Sequence, residues 1–513
     1  IKLRLRLLTE SRERFGLFLL IQALIFRCLF NHLVAITCKT YMRLEAHVVK
    51  LMQATVWLML LSPSYSFGQN TFYPDMPLLE SYIKTGLEEN LALQQKALDH
   101  RQGLHRLEEA RGRFFPSLDF DVTYSRTGGS LLFDVPVGDL LNPVYGSLNQ
   151  LLGENRFPTD LSNEPIPFLR KQEYNTRLRV TQQIFNARDL NNYHFNRYQT
   201  EVSEAEVQTF QRKLVREIRI GYFNYLKTAR MEDLYDQSLK LLAENRRVTQ
   251  KLFEAHKVSR DAIYRADMEY HRVKQQYQSA QNQHRTVRNY LNFLLNRPIQ
   301  SPIPRDETLP QISDPTIELQ ALKKKALANR EELNRLRAAI GAAQYARKMA
   351  QSTFLPSVSV ATDVGFLGET YAFNRDTDYW MVSGTLQWNL FNGLSDRAKI
   401  KQAHLHVQKL QAALDELVGQ IELEVEQHYH NVQAMHEQLG VVRLAGKSAR
   451  ENFRIVAKRY DQGLVSQLDY LDARTTLTSA EINEIVTQYD YFIRLAELEF
   501  STAAFDFGST VSL

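Results

Sequence analysis

Phe115-Pro116-Ser117-Leu118-Asp119-Phe120-Asp121-Val122-Thr123-Tyr124-Ser125 is the stretch on which the fold turns. Leu118, Phe120, Val122 and Tyr124 alternate with Asp119, Asp121, Thr123 and Ser125, which predicts a strand with one apolar and one wet face. Tyr174 to Ile184 repeats the period, setting Leu178 and Val180 against Arg177, Arg179 and Thr181. The opening motif returns as Leu355-Pro356-Ser357-Val358, and Ile184-Phe185-Asn186 returns as Leu390-Phe391-Asn392. Val258-Ser259 with Ala266 matches Val465-Ser466 with Ala473, each 207 positions later. The chain therefore reads as a tandem duplication. The expected organisation is a leader over 1–68, a first repeat over 69–297, a linker over 298–315, a second repeat over 316–506 and a tail over 507–513. In the second repeat Val358, Val360, Val364 and Phe366 predict one strand, and Trp380, Val382, Leu386 and Trp388 another. The segment joining the first two strands (Gly128 to Glu173) reads as a long loop rich in Pro, Gly and Asn, and its counterpart (Gly368 to Thr377) as a short one.

Around these strands the period changes to three or four. Val207, Phe210, Leu214, Ile218, Tyr222 and Tyr225 make a narrow apolar stripe, as do Leu410, Leu414, Leu417, Ile421 and Val425, continued by Val432, Met435 and Leu439. Such stripes on charged helices resemble coiled-coil seams. Asp189 to Ala255, as one helix, extends roughly 100 Å at 1.5 Å per residue. The flanking helices expected over Leu79 to Arg113 and Ser259 to Asn296 are each about half that length, so end to end they match the long one. Ser395 to Arg459 stands in the same relation to Thr316 to Ser352 and Ser466 to Phe505.

Composition narrows the class. In 513 residues there are only 21 Gly and 15 Pro, which fits a few long elements better than many domains. The 63 Lys plus Arg nearly balance 58 Asp plus Glu, leaving +5, so neither a disordered chain nor a nucleic-acid binder is expected. Cys28 and Cys38 are the two cysteines, which excludes a disulfide framework, a paired-cysteine zinc site and a cysteine nucleophile in the body of the chain. Met42 is read as the initiator. Arg43 and Lys50, the apolar run Ala54 to Leu61 and Ser66-Phe67-Gly68 then form a secretory signal, with the mature chain beginning near Gln69 and 1–41 lying upstream of the translated sequence. The earlier apolar run Phe15 to Cys38 is interrupted by Arg27, Asn31 and His32, and Ala35-Ile36-Thr37-Cys38 is a poor lipidation box. Beyond Gly68 nothing is apolar enough for a membrane helix, so any spanning part must be built of strands.

Four amphipathic strands of about ten residues have the length to cross a bilayer at a tilt. Alone they leave open edges, each unpaired backbone group costing several kcal/mol in lipid. Closure must come from other copies; three copies with about twelve strands is the smallest set that leaves a water-filled channel. Trp380 and Trp388 fall at the two ends of their strand, where interfacial aromatics belong.

The duplicated unit, the Phe-Pro-Ser and Leu-Phe-Asn elbows, and above all Arg459-Tyr460-Asp461-Gln462-Gly463-Leu464-Val465-Ser466-Gln467-Leu468-Asp469-Tyr470-Leu471-Asp472-Ala473 resemble the TolC-type outer-membrane efflux protein family (outer membrane factors). The resemblance runs through residues 76–506. It implies mainly long coiled-coil-like helices forming a periplasmic tunnel, with four strands per chain contributing to a twelve-stranded barrel in a homotrimer. It also implies a passive duct, set in outer-membrane lipid, for substrates delivered by an inner-membrane pump and a periplasmic adaptor in efflux or type I secretion. By the same resemblance the turns Lys257-Val258-Ser259 and Gly463-Leu464-Val465-Ser466 dock the adaptor. In the first turn His256 stands where the second has Gly463. The resemblance further puts Tyr460, Asp469 and Asp472 at the pore constriction. The family closes this end with Tyr at position 460 and a basic residue at position 465; here Tyr460 is kept and position 465 is Val.

Asp469 and Asp472 are three residues apart at the start of a helix, so their carboxylates share a face. Ser466 and Asp469 also have capping-box spacing, so the Asp469 carboxylate is open to a purely local role, whereas Asp472 lies too deep for one. His404-x-His406 and His428-x-His430 point to different helix faces and predict no shared metal. No phosphate loop, nucleophile elbow or HExxH motif occurs, so neither an enzyme nor a cofactor is expected. The competing reading is a non-channel coiled-coil scaffold protein of the periplasm, or of the cytosol, whose strands merely cap a helical bundle and which would not need both a signal peptide and four strands of membrane-crossing length.

Overall fold

Asn186 opens the longest helix. Its Oδ1 accepts from the backbone N–H of Arg188 at 3.0 Å and Asp189 at 3.4 Å, and Asp189 adds a negative charge to the first turn. The helix then runs unbroken over Ala187–Glu254. The computed structural model describes residues 76–128, 132–167, 170–306 and 318–505, all within one compact unit, Thr71–Leu513. The leader over 1–68, much of the linker and the tail over 507–513 lie outside the described residues.

In chain order the helices are α1 (Pro77–Glu89), α2 (Leu91–Gly112), α3 (Val137–Leu152), α4 (Ala187–Glu254), α5 (Arg260–Leu294), α6 (Leu319–Asn329), α7 (Glu331–Gln351), α8 (Ser395–Asp461) and α9 (Gln467–Ser501). The strands are β1 (Ser117–Arg126), β2 (Leu132–Val135), β3 (Glu164–Pro167), β4 (Gln172–Phe185), β5 (Ser357–Gly368) and β6 (Asp378–Gln387). At 68 and 67 residues, α4 and α8 are each roughly 100 Å long. Against α4 pack α1 and α2, then α5; against α8 pack α6 and α7, then α9. α4 also meets α7 and α9, so the repeats interlock.

The sequence differs from the structure in three places. The helices expected over Leu79 to Arg113 and Thr316 to Ser352 are each broken, at Asn90 (φ −66°, ψ 120°) and Arg330 (φ −66°, ψ 118°). Asn90 caps α2 by accepting from Ala92 and Leu93 N–H at 3.0 Å, and its Nδ2 donates to Leu294 O at 2.9 Å. Arg330, buried, donates to Glu332 and Glu424 and to Ser501 O. The two breaks are 240 positions apart, as are the elbow prolines Pro116 and Pro356, so the duplication carries the break with it. Thirdly, the long loop holds α3 and the β2–β3 ribbon. Pro143 sits within α3, where the sequence had argued for a loop.

The expected stripes form the main core. Val207, Leu214, Ile218 and Tyr222 of α4 and Ile421, Val425 and Val432 of α8 belong to one cluster, joined by residues of α7 and α9, with Phe223 stacked on Phe492 at 5.2 Å. A smaller cluster of Tyr235, Leu242, Val273, Ala280 and Leu471 fills the other half of the helices. Ion pairs of Arg212 with Glu331 and of Arg219 with Glu499 bury charge between α4 and the second repeat, where pairing offsets desolvation.

Candidate functional site

β1, β4, β5 and β6 form one antiparallel sheet in that order. β4 and β5 join the repeats, and β1 and β6 are its edges within the chain. Register aligns Phe120, Leu178, Val364 and Trp380 across all four strands, and Leu118, Val180, Thr362 and Val382 in the next such row. This face is apolar and uncovered, with Phe120 68% and Trp380 76% exposed. The opposite face carries Asp119, Arg179 and Asp363 in one row and Asp121 and Arg177 in another. Arg179 donates to both oxygens of Asp363 at 2.6 Å, and Arg177 Nε donates to Asp121 at 3.1 Å. Gly365 is needed where β5 crosses β4, because a methyl group there would overlap Thr176 O and lie 2.8 Å from Arg177 Cα.

Aromatic side chains mark both ends of the apolar face. At the end away from the helices, Tyr124, Tyr174, Tyr371, Phe373 and Phe366 form a chain of rings with centroids 4.8 to 5.5 Å apart. At the helical end stands Trp388, just past β6, its Nε1 donating to Phe354 O at 3.0 Å, beside exposed Leu390 and Phe391. Trp380 and Trp388 thus lie near opposite ends of β6.

The turns that end α4 and α8 have one geometry. Lys257 N–H donates to Leu252 O at 2.8 Å and Leu464 N–H to Arg459 O at 2.9 Å, around left-handed His256 (φ 55°) and Gly463 (φ 71°). Each turn then presents an exposed residue, Lys257 or Leu464, followed by a half-buried Val258 or Val465 and a serine at the next helix start. The serines differ. Ser466 and Asp469 complete a capping box: Asp469 Oδ2 accepts from Ser466 N at 3.0 Å and Oγ at 2.7 Å, and Asp469 N donates back at 3.2 Å. Ser259 hydrogen-bonds the Asp261 carboxylate instead.

The Ser466 hydroxyl, helped by the Ser466 N–H, holds the Asp469 carboxyl below its usual range. Asp469 remains exposed, and Asp472 is exposed one turn on. Tyr460 is half-buried, stacked on Tyr470 at 4.8 Å, and burial raises its phenol pKa against the opposing pull of Asn245. The structure therefore brings Asp469 and Asp472 onto the exposed side of α9 and turns Tyr460 toward the protein. Bonds that sequence reasoning missed tie this end together: Gln467 Nε2 to Thr249 Oγ1 and Arg474 Nη2 to Ser238 Oγ, both 2.9 Å. No spacing rule pairs residues more than 200 positions apart.

A four-stranded sheet, apolar on one side, is thus joined through its elbows to two helices of 68 and 67 residues. Residues 322–504 match the family model described as Outer membrane efflux protein. The chain is 28% identical over 184 residues to the alkaline protease secretion protein AprF of Pseudomonas aeruginosa, spanning 35% of this chain and 38% of that protein. It is 22% identical over 422 residues to the probable efflux pump outer membrane protein TtgC of Pseudomonas putida, spanning 81% of this chain and 80% of that one. Its fold is similar to the Campylobacter jejuni CmeC outer membrane channel, with a TM-score of 0.72 at 15% identity over 86% of this chain and 90% of that chain. The second repeat thus matches the outer membrane efflux protein model, and most of the chain is similar in sequence and fold to outer-membrane channel proteins.

Proposed function

We propose that three copies close one barrel of about twelve strands and that the assembly is a passive duct for substrates handed over by an inner-membrane pump and a periplasmic adaptor. The observation that carries this reading is the four-stranded sheet, which is apolar on one face, ion-paired on the other and open at β1 and β6. In lipid those edges leave backbone groups unsatisfied unless another copy pairs with them. The apolar face meets lipid between its two aromatic ends, and the Asp–Arg rows line the lumen. Lys257-Val258-Ser259 and Gly463-Leu464-Val465-Ser466 meet the adaptor, and Asp469 and Asp472, repeated by the threefold, ring the constriction near Tyr460. The relatives support both efflux and secretion as the setting.

Native mass spectrometry in mild detergent, followed by conductance in planar bilayers, tests the reading. A trimer that conducts is expected. A monodisperse monomer with its β-sheet signal intact overturns it.

A further inference from the structure

The insertion at the far end of β1 and β4 contains a helix whose two faces have been sorted. Along α3, Asp139, Asn142 and Asn149 share one side, and each is engaged by the segment that folds back beneath it. Asn163 Nδ2 donates to Asp139 at 2.9 Å, Asn142 exchanges bonds with Leu161 at 2.8 and 2.9 Å, and Asn149 Oδ1 accepts from Arg156 and Phe157 N–H at 2.9 Å. Gly138 lets that segment close in, since a side chain there would overlap Leu161 O. On the opposite side Leu140, Val144, Leu148, Leu151 and Leu152 are uncovered, with Leu151 83% exposed.

We infer that α3 lies in the outer surface of the bilayer, its leucine face in the acyl chains and the returning segment 153–163 facing water. The inference rests on the outer-membrane reading above. Three observations select lipid as the occupant. The insertion leaves the sheet at Arg126 and Gln172, next to the aromatic rings that end the apolar face, which in the reading above is where the hydrocarbon ends. The five side chains spread over roughly 120° at 100° per residue, wider than the seam that one partner helix covers. α3 carries one charge, Asp139, on the covered side. From Leu140 to Leu151 the stripe is about 17 Å long, too short to cross about 30 Å of hydrocarbon, so the helix lies along the surface. Free surface helices keep a charged side toward water; here the returning segment takes that place.

The test places a nitroxide at Leu140→Cys, Val144→Cys, Leu151→Cys, Gln150→Cys and Phe120→Cys in full-length protein with Cys28 and Cys38 changed to Ser, reconstituted in phosphatidylcholine vesicles. The ratio of oxygen to nickel-chelate accessibility should be several-fold higher at 140, 144 and 151 than at 150, and comparable to that at 120. A ratio at 140, 144 and 151 as low as at 150, or spin–spin broadening that shows α3 packed against its copies, overturns the inference while Phe120→Cys still reads lipid. If Phe120→Cys also reads water, the membrane reading of the sheet falls with it.

Discussion

At the turn between α8 and α9, one carboxylate serves the helix and its neighbour is left over. Asp469 accepts from both the N–H and the hydroxyl of Ser466, and these bonds depress its pKa. A depressed carboxylate stabilises the fold above its unfolded value of about 3.9 and loses that contribution as pH falls through the lowered folded value. Amide exchange at Ser466 and Asp469 should therefore stay protected from neutral pH down to about 4 and open below it, and Asp469→Asn should weaken that protection at neutral pH already. Asp472 has no part in the cap, so Asp472→Asn should leave protection unchanged and lower cation selectivity in planar bilayers, because rings of carboxylates attract cations. The double change should lower selectivity further with little loss of trimer. Wild-type selectivity in the double variant removes both carboxylates from the pore. At the other turn, His256 holds a left-handed conformation that costs a non-glycine residue about 1 kcal/mol.

Among the elements, the duplicated break at Asn90 and Arg330 sets how the short helices follow the long ones. Asn90→Ala removes the cap of α2 and leaves Leu294 O without its donor, a loss of about 2 kcal/mol. It should lower the temperature at which the assembly unfolds, while the same change at exposed Gln95 should not. The strands and the long helices were legible because each is written in local periodicity: alternation at Leu118 to Tyr124, and three-four spacing at Val207 to Tyr225. The breaks were not legible. Asn90 lies in a helical pattern, and the partners of Arg330, Glu424 and Ser501 O, are distant in sequence. α3 escaped because Pro143, Gly138 and Gly146 read as loop residues, although Leu140, Val144, Leu148 and Leu151 keep helical spacing. The turn residues His256 to Ser259 and Gly463 to Ser466 were found by the repeat itself, whereas the Gln467–Thr249 and Arg474–Ser238 bonds that hold the two hairpins together depend on tertiary packing alone.

For the whole molecule, α8 poses the question of what its second face meets. Leu405, Leu423 and Val441 are 18 residues apart, five turns of a helix with 3.6 residues per turn, and Leu444 and Ile455 fall near the same line. All five are more than half exposed. Single exposed leucines are ordinary, but a line of them along a helix already packed on its other side calls for a neighbour. In the proposed trimer that neighbour is the next copy, which meets α8 on the face opposite the buried Ile421, Val425 and Val432. Leu423→Asp with Val441→Asp would place unpaired carboxylates in each of the seams, where burial of a lone charge is prohibitive. Helical circular dichroism should persist, because neither side chain is in the core of the protomer, yet the trimer and its conductance should be lost. Leu464→Asp makes the complementary case. It lies on the exposed turn, 63% accessible and clear of that line, so the trimer and its conductance should survive while crosslinking to the adaptor disappears. If Leu464→Asp dissociates the trimer, the turn belongs to the contact between copies, and the adaptor must dock elsewhere. If Leu423→Asp with Val441→Asp leaves a conducting trimer, the line on α8 faces solvent and the copies are held together by the sheet edges alone.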